Sequence, residues 1–111
     1  MNVKIAELRH RIKIQRRESA RDDTGAFILE TRDLIEVWAK IEPLKSRDLF
    51  QANDIWPGTD HRIITRYFQE VEQGTIITWN DKTFEVTHVT DEDYKHQWLE
   101  IMCKEITTPH S

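Results

Sequence analysis

The stretch Thr75–Val89, "TIITWNDKTFEVTHV", decides the fold class. Thr75–Trp79 and Thr83–Val89 are short runs rich in β-branched and aromatic residues, and Asn80-Asp81-Lys82 between them is turn chemistry. Two such runs around so short a polar segment predict an antiparallel hairpin. A lone hairpin is marginal in water, so further strands are required to cover its apolar face.

The chain supplies them on both sides. Upstream, Arg11-Ile12-Lys13-Ile14-Gln15 alternates polar and apolar residues, which turns the isoleucines inward and the charged chains outward. "RDDTG" (Arg21–Gly25) follows as an Asp-rich turn whose glycine can take a positive φ. Phe27–Glu30 starts a second extended stretch. From Leu34 the chain alternates Val37, Ala39 and Ile41 against Trp38, Lys40 and Glu42, until Pro43 ends the strand because it lacks a donor. Arg62–Phe68 is extended, with Ile63, Thr65 and Tyr67 on one face and Arg62, Ile64 and Arg66 on the other. Downstream, Asp91–His96 reads as a polar loop and Gln97–Lys104 as a last strand. About six strands without a βαβ rhythm predict an all-β fold, a small antiparallel barrel or sandwich.

With 111 residues the chain is expected to be one domain, residues 1–111, with a basic N-terminal arm (1–9) and a C-terminal tail (106–111) expected to fray. The segment 45–60 breaks the strand pattern. Ser46 suits an N-cap, Asp48 a first helical turn, and Leu49 with Phe50 an early apolar pair, which together predict about two turns of helix. Asn53 and Asp54 are expected to interrupt it, and Pro57-Gly58 to close it. Leu49, Phe50, Ile55 and Trp56 are costly to leave in water. Either this long loop or short helix folds back on its own core, or it is offered to a partner.

Composition excludes several classes. No apolar run approaches the roughly 18 residues of a spanning helix, and the first residues alternate charge with aliphatics instead of forming a signal peptide. Cytoplasmic synthesis is therefore expected. Cys103 is the single cysteine, so no internal disulfide can form, and its place beside Leu99 and Ile101 at alternating positions predicts a buried thiol. The net charge of −4 is unevenly spread: residues 1–21 hold seven Lys or Arg against Glu7 and Glu18, a net +5, leaving −9 for the remainder. A basic segment before an acidic body fits a nucleic-acid contact or head-to-tail packing between subunits. The acidic body opposes the phosphate neutralisation on which duplex binding depends.

Three glycines cannot build a phosphate loop or dinucleotide fingerprint. His61 beside Asp60, His88, the trio Asp91, Glu92 and Asp93, and His96 are metal-ligand types without a ligand spacing. His10 and His61 each begin a strand, and most Asp and Glu fall in turns or on polar strand faces. The residues therefore assign no catalytic, cofactor-binding or metal-binding role, and the chain reads as a non-enzyme.

The order of the pieces carries a resemblance. Leu8-Arg9-x-Arg11-Ile12-x-Ile14-Gln15, Val37-Trp38-Ala39-x-Ile41-Glu42-Pro43 and His61-Arg62-Ile63, followed by "ITWNDKTFEVTHV" and "WLEIMCKE", resemble the bacteriophage head–tail joining proteins. These are the head-closure, stopper or connector proteins, and the likeness runs from Leu8 to Glu105. It implies a small β-barrel that forms a ring beneath the portal or adaptor, extends or closes the DNA channel, and docks the tail. The partners implied are portal and adaptor proteins, a tail-terminator or tail protein, and double-stranded DNA that passes without sequence-specific binding. The location implied is the virion, after synthesis in the host cytoplasm. On this resemblance Ser46, Arg47, Asp48, Leu49, Phe50, Ile55 and Trp56, within Leu44–Asp60, form a channel or subunit-contact loop. Arg9, Arg11, Lys13, Arg16 and Arg17 form a basic inter-subunit arm. Family members often have glycine where this chain has Ser46, and glycines in the hairpin occupied by Asn80-Asp81-Lys82. The rival reading is a β-barrel nucleic-acid-binding module using the basic N-terminal segment.

Overall fold

The computed structural model describes residues 5–91 and 97–106. Six strands, β1 (His10–Arg21), β2 (Phe27–Pro43), β3 (His61–Arg66), β4 (Ile76–Trp79), β5 (Lys82–Asp91) and β6 (Trp98–Ile106), run antiparallel to their neighbours. They close into a barrel in the order β1-β2-β3-β6-β5-β4, with β4 pairing back to β1. A 3₁₀ turn (Ile5–Glu7) precedes β1, and one helix, α1 (Ser46–Ile55), joins β2 to β3.

Alternation fills the barrel as the sequence predicts. Ile12 and Ile14 of β1, Ala39 of β2, Ile63 of β3, Ile77 of β4, Phe84 and Val86 of β5, and Leu99, Ile101 and Cys103 of β6 form one buried cluster. Val37 and Ile41 pack against it from β2 while Trp38 points out. Thr65 is buried on the inward face of β3, where its hydroxyl donates to the Trp38 carbonyl at 3.2 Å. Ile64, assigned to the polar face, is also buried, so β3 is covered on both faces.

Several expected boundaries shift, each for a physical reason. Phe27–Glu30 and Leu34–Pro43 are one 17-residue strand. The register slips between Ile14 and Gln15, so that Ile14 faces Ile35 and Gln15 faces Asp33. This β-bulge at Leu34 lets two alternation phases share one strand. β3 ends at Arg66 instead of reaching Phe68, and the Tyr67 amide donates to the Gln97 carbonyl just before β6. β6 runs on to Ile106. Residues 1–4, the loop 92–96 with its acidic residues and His96, and the tail 107–111 lie outside the described residues.

The helix also departs from expectation. Asn53 and Asp54 do not interrupt it. Asn53 instead donates from Nδ2 to the Leu49 carbonyl (2.9 Å) and the Thr59 carbonyl (2.7 Å), and its Oδ1 accepts from the Gly58 amide (2.8 Å). One side chain thus ties the helix to the turn that follows it. Ser46 is not the N-cap: that position falls to Lys45, extended and without a side-chain cap bond, while Ser46 has φ 52°.

Ser46 and Asn80 are the two non-glycine residues with positive φ among those described. At Asn80 the cause is the two-residue turn between Trp79 and Lys82, whose first central residue takes φ 53°, as in a type II′ turn. A Cβ in this region costs on the order of 1 kcal/mol, less for asparagine. Glycine gives part of this back through the extra freedom of the unfolded chain.

The β1–β2 turn is organised by one carboxylate. Asp22 Oδ1 accepts from the Thr24 amide (2.9 Å), the Thr24 hydroxyl (2.7 Å) and the Ala26 amide (3.0 Å), while Gly25 takes φ 86°. These donors, the Thr24 hydroxyl foremost, hold the Asp22 carboxyl below its ordinary value.

Two outcomes are expected. Ser46→Gly should raise the denaturant midpoint by the equivalent of about 0.5–1 kcal/mol, and by more than Asn80→Gly does; equal or opposite changes in urea melts would contradict the backbone argument. Because the folded-state pKa of Asp22 is lowered, its contribution is present above the unfolded value near 3.8 and is lost as pH falls through the lowered value. Acid should therefore loosen the β1–β2 turn, read as faster amide exchange at Thr24 and Ala26, and Asp22→Ala should show that loosening at neutral pH.

Candidate functional site

The segment between β2 and β3 does two things at once. Leu44, Ala52 and Met102 form a second small buried cluster with Trp56 packed on it, which seats α1 against the outside of β6. Trp56 also stacks on His88 of β5, with ring centroids 4.3 Å apart and planes 14° from parallel. Beneath it the buried Thr59 hydroxyl donates to the Trp56 carbonyl (2.7 Å) and meets the Thr87 hydroxyl (2.8 Å). Away from this anchor α1 carries apolar side chains into solvent: Phe50, opposite Ala52, is 74% exposed, Ile55, beside the anchored face, is 67% exposed, and Leu49 is partly so. Of the sequence-predicted residues, Trp56 thus anchors the helix while Leu49, Phe50 and Ile55 project from it. Ser46, Arg47 and Asp48 form its exposed first turn.

The basic residues are not a free arm. Arg11, Lys13, Arg16 and Arg17 lie within β1, woven into the barrel wall and its hairpin extension. Lys13 pairs with Asp33 (3.6 Å), Arg16 with Glu70 (3.1 Å) and Arg17 with Glu85 (3.4 Å). Asp33 is held below the ordinary carboxylate range, first by the Gln15 amide donating to it and then by Lys13. Such exposed pairs contribute little stability each. They do cancel much of the +5 that the sequence places in this segment, and Arg9 donates to the Ala6 carbonyl beside it.

The histidine-led strand starts resolve into packing. His10 Nδ1 accepts from the Ile41 amide at 3.3 Å, and its ring meets Trp79 edge-on at 4.7 Å. His61 Nδ1 lies 2.7 Å from Asp60 Oδ1, with its ring against Phe84. Asp60 Oδ1 also accepts from the Glu105 amide (2.9 Å), which locks the start of β3 to the end of β6. Among the described residues no three His, Cys, Asp or Glu side chains gather to hold a metal ion. No described helix is long and apolar enough to cross a membrane. Cys103 is fully buried; burial, with the Asp60 carboxylate adding to it, pushes its thiol well above the ordinary value.

Two exposed apolar features lie outside the sequence-predicted site residues. One is the hairpin tip, where Phe27 (72% exposed) and Leu29 (71%) stand in solvent with Ile28 between them. The consecutive run Ala26-Phe27-Ile28-Leu29 was the available signal, since a half-buried strand should alternate. The other is an open groove of about 520 Å³ lined by Ile5, Leu8, Val37 and Trp38, with Arg11, Glu36 and Arg66 at its edges. It depends on the 3₁₀ turn lying across the barrel wall, which no local pattern announces.

A family model described as phage head completion protein matches residues 3–106. Among solved structures, the fold is similar to protein SF1141 from Shigella flexneri 2a, at 25% identity and a TM-score of 0.73, over 93% of this chain and 96% of that one. It is also similar to a chain from the virion of a native gene transfer agent particle, at 13% identity and a TM-score of 0.59, over 91% and 97% of the two chains. No curated protein sequence matches the chain.

Cys103 should resist iodoacetamide in the folded protein at pH 8 and react fully in guanidinium chloride, as followed by intact mass. Rapid labelling of the native chain would show that the barrel end beneath Asp60 opens readily.

Proposed function

The chain belongs to the phage head completion protein family, and from that premise we propose that it forms a ring at the head–tail junction below the portal or adaptor. There it extends or closes the DNA channel and gives the tail its docking surface. Membership makes it a structural protein of the phage head, working among other head or tail proteins. The ring, its position and its partners are the proposal.

The observation that carries it is the split character of α1. A barrel that needs only a lid would bury both faces of its helix or make the outer one polar. Here Leu44, Ala52 and Trp56 hold the helix down while Phe50 and Ile55 are displayed on the outside. Single exposed apolar residues are ordinary, but two large ones on one short anchored helix suit a surface that is covered on assembly. The gene transfer agent particle supports the setting, since a chain of its virion has the same fold.

Charge agrees with a conduit. Outside the first 21 residues the chain carries −9, and a channel that lets DNA pass should repel phosphate instead of gripping it. The ion pairs of Lys13, Arg16 and Arg17 with carboxylates of their own chain weigh against the nucleic-acid module. The basic strand keeps a role between subunits through Arg9 and Arg11, beside the acidic body of a neighbour.

The test is electron microscopy of heads assembled without this protein, before and after it is added. An added ring of density below the portal, and recovery of tail attachment, are expected. Phe50→Asp and Ile55→Asp should leave the thermal midpoint within about 2 °C, because both side chains are exposed, and should reduce tail attachment at least tenfold. If the wild-type chain adds no density to the heads, the ring assignment is wrong.

A further inference from the structure

The β1–β2 hairpin is longer than the barrel requires. β4 pairs with β1 only at Lys13, Ile14 and Gln15. Beyond that point Arg16–Arg21 and Phe27–Arg32 pair with each other, two strands projecting from the barrel, and the molecule measures 51 Å along one axis against 27 and 26 Å along the others. The register sets Arg21 opposite Phe27 and Ser19 opposite Leu29, so both apolar side chains share one face of the prong. The Arg21 guanidinium lies over the Phe27 ring at 4.6 Å. A two-stranded prong has no core of its own, and an apolar pair on its face is an aggregation hazard unless something covers it.

We propose that the prong of one subunit docks, through Phe27 and Leu29, into the Trp38 groove of a second copy of this chain, head to tail. This rests on the ring reading and supplies its inter-subunit contact. The groove is the matching unpartnered surface: Ile5, Leu8 and Val37 line it, and Trp38 is half exposed at its wall.

Geometry excludes the subunit's own prong as the occupant. Leu29 and Trp38 belong to the same strand, β2, roughly 30 Å apart at about 3.3 Å per residue. A paired strand cannot fold back on itself, so no subunit can fill its own groove with its own prong. Two different patches on one rigid body that fit each other make a heterologous contact, which repeats from copy to copy and closes into a ring when the rotation permits.

Charge agrees with the pairing. The outer part of the prong, residues 18–32, carries Glu18, Asp22, Asp23 and Glu30 against Arg21 and Arg32, a net −2, while Arg16 and Arg17 at its base pair with Glu70 and Glu85 of the same chain. The groove is edged by Arg11 and Arg66 against Glu36. Arg11 lies over the Trp38 ring at 5.4 Å and Arg66 over the Trp98 ring at 5.1 Å, so both guanidinium groups are held at the surface next to the apolar floor. An acidic prong entering a groove edged by arginines is steered and oriented by these charges.

The experiment is a complementation by sedimentation velocity of the full chain, from 10 μM to 1 mM, at low salt. The wild type should form species larger than a dimer. Leu29→Asp, which spoils the prong, and Trp38→Ala, which spoils the groove, should each shift the chain to monomer. An equimolar mixture of the two should form a dimer and nothing larger, because one partner retains a sound groove and the other a sound prong. Should Trp38→Ala fail to fold by circular dichroism, Leu8→Asp replaces it from outside the barrel. Oligomers untouched by both substitutions, a mixture that stays monomeric, or a wild type monomeric throughout the range would each overturn the contact. None of these bears on the ring reading, which stands or falls on density added to heads.

Discussion

Barrel closure depends on a short ladder. Only Lys13, Ile14 and Gln15 of β1 meet Ile76, Ile77 and Thr78 of β4, yet this is the seam that turns an open six-stranded sheet into a ring. Ile14 and Ile77 sit opposite each other at its centre, both fully buried, so the seam is zipped from the inside by the same core it encloses. The seam is short because β4 is short: Gly74 turns the chain into it at φ 91°, and the turn at Asn80 takes the chain out after Trp79. β1 and β2 have no such limit. They outrun the seam, and what outruns it becomes the prong.

Polar contacts away from the seam fasten the rest of the barrel. At one end, Asp60 joins the start of β3 to the end of β6 through His61 and the Glu105 amide, and Cys103 is sealed below. There the helix is fastened by Trp56 against His88 and by Asn53 across the following turn. Polar groups are consumed in holding backbone: His10 accepts from Ile41, Thr65 donates to Trp38, and Asp22 gathers three donors at the hairpin tip. The outside still displays large apolar side chains, Phe27, Leu29, Trp38, Phe50 and Ile55 among them. That division suits a head completion protein, whose work is to be held between neighbours.

Much of the barrel was legible because alternation is a local signal. Ile12 with Ile14, Val37 with Ala39 and Ile41, and Leu99 with Ile101 and Cys103 each announce an inward face within a few residues. The single long β2 was hidden, since the bulge at Leu34 reverses the phase and makes one strand look like two. The helix was read too short, since Asn53 and Asp54 weaken helices in general and only the nearby Gly58 and Thr59 give Asn53 a use for its amide. In the candidate loop, the contrast between Trp56 turned in and Phe50 turned out is not written in composition. It depends on which face of α1 meets Met102 of a strand far along the chain.

Sequence alone determined the strand pattern, the turns at Gly25 and Asn80, the inert cysteine and the uneven charge. Each of these follows from forces acting between near neighbours or from counting. Tertiary structure alone decided where the charge ends up and which apolar surface stays wet. Arg16 finds Glu70 and Arg17 finds Glu85 only after the barrel has closed. Trp38 becomes the wall of a groove only when the turn at Ile5–Glu7 lies beside it, and Phe27 is left exposed because β4 begins only at Ile76, opposite Gln15, and does not reach along the prong. Those are long-range outcomes, set by register and strand length, and a window of neighbouring residues does not contain them.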